Sequence, residues 1–179
     1  MDPDDDTLAM AARTGDAAAL GALLERHYDR VFRLAYRILG NRAEAEDLTQ
    51  EICLALPRRL AGFRGEARFT SWLHRVVVNA ARDLMRRNAT RARAGAGWGE
   101  AEHLARAEAE GRAEEARWLE AAMSALSPAL RETVALVLGE EMTHAEAAAA
   151  LGLSEGTVSW RLSEVRRLLR DRAREEEIA

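Results

Sequence analysis

Two sets of side chains have the types and the spacing to hold nucleic acid. The first is Trp72, Arg75, Asn79, Arg82 and Arg86. At about 100° per residue they fall on one edge of a helix, away from the apolar stripe Leu73, Val76, Val77, Ala80 and Leu84. An indole can stack on a base, an amide can read an adenine edge, and guanidiniums can hold phosphates. A merely solvated face would mix both signs of charge and omit Trp and Asn. The second set lies in Thr143 to Arg170, THAEAAAALGLSEGTVSWRLSEVRRLLR. Thr143 and Glu146 have capping-box spacing, Gly152 breaks the alanine-rich run, and Ser154 offers a second N-cap. Two short helices with a glycine between them spell a helix-turn-helix. On its second helix Val158, Leu162, Val165 and Leu169 make an apolar stripe. The exposed positions Glu155, Ser159, Trp160 and Ser163 are candidate base readers, and Arg161, Arg166, Arg167 and Arg170 candidate phosphate contacts. The plain alternative is an amphipathic hairpin in a helical bundle.

The spacing also predicts the helices that carry these sets. One begins near Asp16, buries Leu20, Leu23, Leu24, Val31, Leu34, Ala35 and Ile38, and ends at Gly40. Asn41 and Glu44 cap a second, with Leu48, Ile52, Ala55 and Leu56 inward and Glu46, Asp47, Gln50 and Glu51 crowding the other side. That acidic face is either simply solvated or a dock for a basic partner. Pro57 should end or kink this helix. The loop AGFRGEARFT, Ala61 to Thr70, could trap an unstacked base with Phe63, Phe69 and its arginines, or the phenylalanines could staple it to the core; for Phe69 the staple is the better reading. A third helix runs from Ser71 to about Arg87. From Ala89 to about Arg112 the periodicity dissolves into a glycine-containing linker that includes Trp98. A C-terminal module begins near Glu114, with Trp118, Leu119, Ala122 and Leu126 along one helix. Ser127-Pro128 starts the next, which Gly139 closes. The tail after Arg174 is expected to fray.

Composition agrees. With 31% charged and 5% aromatic residues, three prolines, and Ala, Arg, Glu and Leu dominant, the chain should be all-α. All 26 basic residues are arginine, the better side chain for bidentate grip on phosphate. Net charge is −4, so any basic character must be local. It concentrates between Arg58 and Arg93, while Asp2 to Asp6 and Glu100 to Glu115 are acidic. Cys53 stands alone, which leaves no disulfide or cysteine metal site within the chain. His27, His74, His103 and His144 are scattered without metal spacing, and no phosphate-cradling glycine loop is present. An enzyme is therefore the least favoured reading, with no metal or cofactor expected. The start MDPDDD is no signal peptide and no run has the length of a membrane span, so a cytoplasmic protein without membrane insertion is expected.

Several motifs in order resemble the group IV, or extracytoplasmic-function, sigma factors of bacterial RNA polymerase. AEAEDLTQE (Ala43 to Glu51) is similar to region 2.2, and FRGEARFTSWLHRVVVNAARDLMRR (Phe63 to Arg87) to regions 2.3 and 2.4. LSPALRETVALV (Leu126 to Val137) resembles region 4.1, and the helix-turn-helix with Gly156-Thr157-Val158 resembles region 4.2. The resemblance implies two small helical domains on a flexible linker: a region 2 bundle of three or four helices (1–92), the linker (93–113), and region 4 (114–179). It implies that Asp47, Gln50 and Glu51 meet the β′ clamp helices of core RNA polymerase, with the β flap a further polymerase contact. The loop with Phe63 and Arg64 would capture a flipped base of the −10 element, and Arg75, Asn79 and Arg82 would contact that element. The helix from Glu155 through Thr157, Ser159 and Ser163 would enter the −35 major groove. A cognate anti-sigma factor would hold the protein inactive. Two departures stand out. Ser159, Trp160 and Glu164 replace the family's usual basic-small-basic run, and Pro57 stands where an aromatic residue is commoner. The rival readings are a stand-alone helix-turn-helix regulator, which leaves the Trp72–Arg82 edge without a job, and a helical adaptor that never touches DNA.

Overall fold

The computed structural model describes residues 3–94 and 114–178, and every regular element among them is helical. Four helices make the N-terminal half: α1 (Asp5–Arg13), α2 (Ala17–Leu39), α3 (Arg42–Leu60) and α4 (Phe69–Ala94). The C-terminal half has α5 (Glu114–Ala125), α6 (Pro128–Val134), α7 (His144–Leu151) and α8 (Glu155–Ile178), with a widened π turn at Ala135–Gly139 after α6.

The local signals for helix ends hold. Asp16 caps α2 by accepting from the amides of Ala18 and Ala19, and Gly40 ends it in the left-handed region at φ +71°. Asn41 caps α3 through the Glu44 amide. Thr143 and Glu146 form the full reciprocal capping box of α7. Gly152, at φ +70°, turns the chain between α7 and α8 where a side chain would be strained.

The structure departs from the expected elements in several places. The helix near Asp16 is not the first: Asp4 caps α1, which lays Leu8, Ala9 and Ala12 into the core. Pro57 does not stop α3, which continues to Leu60; proline so near a C-terminus removes little hydrogen bonding, and the fully buried Leu60 holds the last turn down. The tail after Arg174 continues α8 to Ile178. The third predicted helix is longer than expected at both ends, running Phe69–Ala94. The expected linker, with Trp98 and His103, falls largely on residues 95–113, outside the described residues.

The two halves share one core. Leu23, Leu34, Ile38, Leu48, Ile52 and Val77 cluster with Leu136, Ala147, Leu151 and Val158 of the C-terminal half, all within a few per cent of full burial. Burying a side chain of this size contributes about 1.5–3 kcal/mol, so this seam is a substantial contact. Leu126, Leu130 and Val165 form a small separate cluster between α5, α6 and α8.

Candidate nucleic-acid interface

The α4 edge forms as the spacing predicts. Arg75, Asn79 and Arg86 are exposed, while Trp72 and Arg82 are half-buried. The reason is on the opposite side: Leu73, Val76, Val77, Val78, Ala80 and Ala81 are all buried, a stripe wider than the sequence suggested. His74 on the same helix is also buried.

The loop before α4 departs from expectation. Phe63 is only 2% exposed, so it offers no free face to a base; Phe69 is fully buried, as the staple reading holds. Phe63, Phe69 and Trp72 pack together with centroids 5.5–6.0 Å apart. His27 meets Phe69 edge-on at 5.3 Å. The loop's conformation depends on α1. Asp6 Oδ1 accepts from the Phe69 amide and so caps α4 across 63 positions of sequence. Asp5 pairs with His27 at 2.9 Å. Burial holds the His27 pKa below its usual value in spite of Asp5. Arg64 projects into solvent, 3.9 Å from Glu66. Between α1 and the loop lies a cleft of about 660 Å³ lined in part by Asp6, Met10, Phe63, Arg64 and Arg68.

Two arginines of the α4 edge are engaged within the chain. Arg82 makes a bidentate pair with Glu132 of α6, Nε–Oε1 2.9 Å and Nη2–Oε2 2.8 Å, and reaches the Leu151 carbonyl at 3.4 Å. That pairing raises its pKa. Arg75 Nη2 donates to the Ala149 carbonyl at 3.2 Å. Both carbonyls belong to the last turn of α7, the negative end of the helix dipole. Arg86 pairs with Asp83 on its own helix.

A second ion cluster joins the halves. Glu140, with a side chain 4% exposed, accepts from Arg30 (2.6 Å) and Arg37 (2.9 Å) and lies 3.3 Å from His74 Nε2. Burial alone would raise its pKa; His74 and Arg30 beside it outweigh that and hold it at about 2.

On α8, Val158, Leu162 and Val165 face the core as predicted, and Leu169 is half-buried. Glu155, Ser159, Trp160, Ser163, Arg166, Arg167 and Arg170 are exposed, Trp160 at 65%, and Thr157 is half-buried. Ser159 hydrogen-bonds His144 at 2.9 Å. Arg161 does not point outward: its Nη1 donates to the Ala129 carbonyl (3.0 Å) and Thr133 Oγ1 (3.3 Å), tying α8 to α6. Arg167 chelates Glu164 and reaches Asp171.

On α3, Asp47, Gln50 and Glu51 are exposed on one face. Leu54, 82% exposed, extends that face by one turn and was missed in the sequence. Its signal was available: an apolar residue off the buried stripe, three and seven positions from Glu51 and Asp47. Glu132 and Glu140 were also missed, and no local pattern marks them.

Comparison with known proteins gives the family. The family models for Sigma-70 region 2 and Sigma-70, region 4 match residues 23–91 and 116–169. The ECF RNA polymerase sigma factor SigE of Mycolicibacterium smegmatis is 36% identical over 96% of this chain and 70% of its own length. The ECF RNA polymerase sigma factor SigM of Mycobacterium tuberculosis strain H37Rv is 33% identical, covering 90% and 81% respectively. Among solved structures, CnrH in complex with the cytosolic domain of CnrY superposes with a TM-score of 0.69 at 27% identity, covering 96% of this chain and 97% of that one. RpoE in complex with the anti-sigma factor NepR from Bartonella quintana gives the same score at 22% identity over 83% of this chain and 92% of that one, a likeness of fold. Two helical halves that match region 2 and region 4 in order, with a sigma factor 36% identical over 96% of the chain, make this protein a member of the extracytoplasmic-function sigma factors of the sigma-70 family.

Proposed function

We propose that this chain binds core RNA polymerase and directs it to promoters by reading two DNA elements, one with each half. What carries this reading is the pairing of two nucleic-acid edges, Trp72–Arg75–Asn79–Arg82 on α4 and the exposed first half of α8, in a chain of this family. Opening a promoter costs a few kcal/mol for each base taken out of the stack, and the base must then be held. The α4 edge and the cleft beside Arg64 suit the −10 element: arginine for phosphate, Asn79 for a base edge, and a hollow for an unstacked base. With Phe63 buried, the hollow would act through Arg64, Arg68 and the loop backbone rather than an aromatic platform.

The α8 face would lie in the −35 major groove, with Glu155, Ser159, Trp160 and Ser163 toward the bases and Arg166, Arg167 and Arg170 toward phosphates. Glu164 near the groove can accept from cytosine N4. Asp47, Gln50, Glu51 and Leu54 form a mixed acidic and apolar face suited to the β′ clamp helices, and region 4 would meet the β flap. Each reader is weak alone, and linkage through the polymerase multiplies their affinities. CnrH and RpoE were solved with CnrY and the anti-sigma factor NepR; by likeness, an anti-sigma factor holds this chain too. No described helix is long and apolar enough to cross a membrane, which fits a chain acting on DNA.

Run-off transcription with core polymerase on a promoter library tests the proposal. Initiation at defined sites sharing two spaced elements is expected; no initiation at any site would end it. A gel shift without polymerase separates the stand-alone regulator, which would bind specific DNA tightly unaided.

A further inference from the structure

We propose that Trp160 is a specificity-determining residue of the α8 face and that the base it reads is a thymine. The proposal deepens the reading of α8 as the −35 helix and rests on it. The first turns of α8 are poor in the side chains that identify a base by paired hydrogen bonds. Guanine is read by the arginine or lysine fork, and adenine by the asparagine or glutamine amide. Between 155 and 163 the exposed residues are Glu155, Gly156, Ser159, Trp160 and Ser163, with none of those types among them. The guanidinium of that stretch, on Arg161, is turned back onto α6. The hydroxyls and the next carboxylate are committed within the chain. Ser159 Oγ bonds His144 Nδ1 at 2.9 Å, and Ser163 Oγ donates to the Ser159 carbonyl at 3.0 Å. Thr157 Oγ1 bonds Ser154 Oγ at 2.9 Å. Glu164 is held by two nitrogens of Arg167. Glu155 remains, at the first position of the helix, as an acceptor for a base amino group.

Trp160 remains too, the large apolar side chain that α8 leaves in solvent among the described residues. A lone exposed aromatic is commonplace on a protein surface. This one stands on the base-facing turns. Helical side chains lean toward the N-terminus, so the indole leans toward Gly156, one turn earlier. A Cβ added at Gly156 would have Ser154 Oγ, 3.9 Å away, as its nearest neighbour outside the local backbone, so the ground over that turn is open to a base edge. An indole offers one donor, no acceptor and an apolar ring. In the major groove thymine shows a methyl group beside an acceptor, O4, and no donor. Guanine has acceptors and no methyl, while adenine and cytosine carry an amino donor from which an indole cannot accept. Thymine alone matches both parts of the side chain, the ring against the C5-methyl and Nε1–H toward O4.

The test uses the whole chain bound to core polymerase, on a promoter selected from the library. Each −35 thymine, on either strand, is replaced in turn by deoxyuridine, which removes the methyl and nothing else. Initiation at subsaturating holoenzyme should fall about fourfold at one thymine, the worth of one buried methyl group. Trp160→Ala should erase that response, giving equal initiation with thymine and deoxyuridine, while Trp160→Phe should keep it. Each ratio is taken within one protein, so a loss common to all templates cancels. 5-Iododeoxyuridine at the same position, with iodine where the methyl stood, should photocrosslink to Trp160, which needs no variant. An element without a preferred thymine would overturn the assignment. So would a deoxyuridine scan without response, a response that survives in Trp160→Ala, or a crosslink that maps elsewhere on the chain. A Trp160→Ala loss that is equal on both templates, in a chain whose unaltered form shows no methyl response, would give the indole to a protein partner instead. Failure to initiate on any template would sink the promoter reading along with the assignment; initiation without a methyl response would sink the thymine alone.

Discussion

The helices α4 and α8 carry the same kinds of side chain and treat them differently. On α4, Arg75 and Arg82 are bonded to the other half of the molecule. On α8, the partners among the described residues are neighbours on the same helix: Arg167 takes Glu164 and Asp171, and Arg170 takes the Arg166 carbonyl. The difference is burial of the partner. Glu132 has a side chain only 5% exposed, so its pair with Arg82 works in a low-dielectric setting, while Glu164 is 29% exposed and Asp171 49%. Exposed pairs of the α8 kind are worth about 0–1 kcal/mol, and a cation in such a pair passes easily to phosphate. A guanidinium edge is thus available or withheld according to how its counter-charge is desolvated.

The comparison can be broken hardest at the seam. Leu136→Ala should cost about 2–5 kcal/mol, since a fully buried leucine leaves a cavity in the core both halves share. Urea unfolding should show a lower midpoint, with the N-terminal half retaining helicity longest. Arg82→Ala should cost roughly 2–3 kcal/mol by leaving Glu132 buried without its counter-ion, and the double change Arg82→Ala with Glu132→Gln should recover part of it. The matching change on α8, Arg166→Ala, should stay within about 0.5 kcal/mol.

Acid sharpens the contrast next. Unfolded, Glu140 takes up a proton near 4.5; folded, it resists until about 2. Its contribution is present above the higher value and is lost as pH falls toward the lower one. His27 acts in the same direction from higher pH: unfolded it protonates near 6.5, folded its neutral form persists further down, so the unfolded state binds more protons. Melting temperature should therefore begin to fall below about pH 6.5 and drop by several further degrees below about 4.5. Glu140→Gln should remove much of the second drop. Trp160→Ala on α8, which removes no charge, should leave the profile alone. Smallest in stability is Trp160→Ala, within about 0.5 kcal/mol for a side chain 65% exposed; its expected effect is altered −35 preference in run-off transcription.

The parts legible in the sequence are those fixed by neighbours along the chain. Thr143 with Glu146, Asn41 with Glu44, and the stripe Val158–Leu162–Val165 each need only one turn of helix to be recognised. The Trp72–Arg86 edge was legible for the same reason. What was hidden depends on pairs distant in sequence. Glu132 lies 50 positions from Arg82, and Glu140 lies 110 from Arg30; in sequence both look like solvated acids. Arg161 reads as a phosphate contact until α6 is placed beside it. The helix α1 was missed because its core face is short and half alanine, Leu8, Ala9 and Ala12, and gives little periodic signal. Phe63 could be read as platform or as staple, and only the packing of Trp72 and Phe69 against it decides.

The carboxylate that ends the wait of α4's first amide is made long before it. Asp6 leaves the ribosome ahead of Phe69, and in the folded chain it sits on a helix capped by Asp4. The loop beside the cleft can therefore take shape as soon as α4 emerges, without waiting for the C-terminal half. Removing Asp4 to Asp6 would leave both family-model matches whole, yet with that loop untethered at one end.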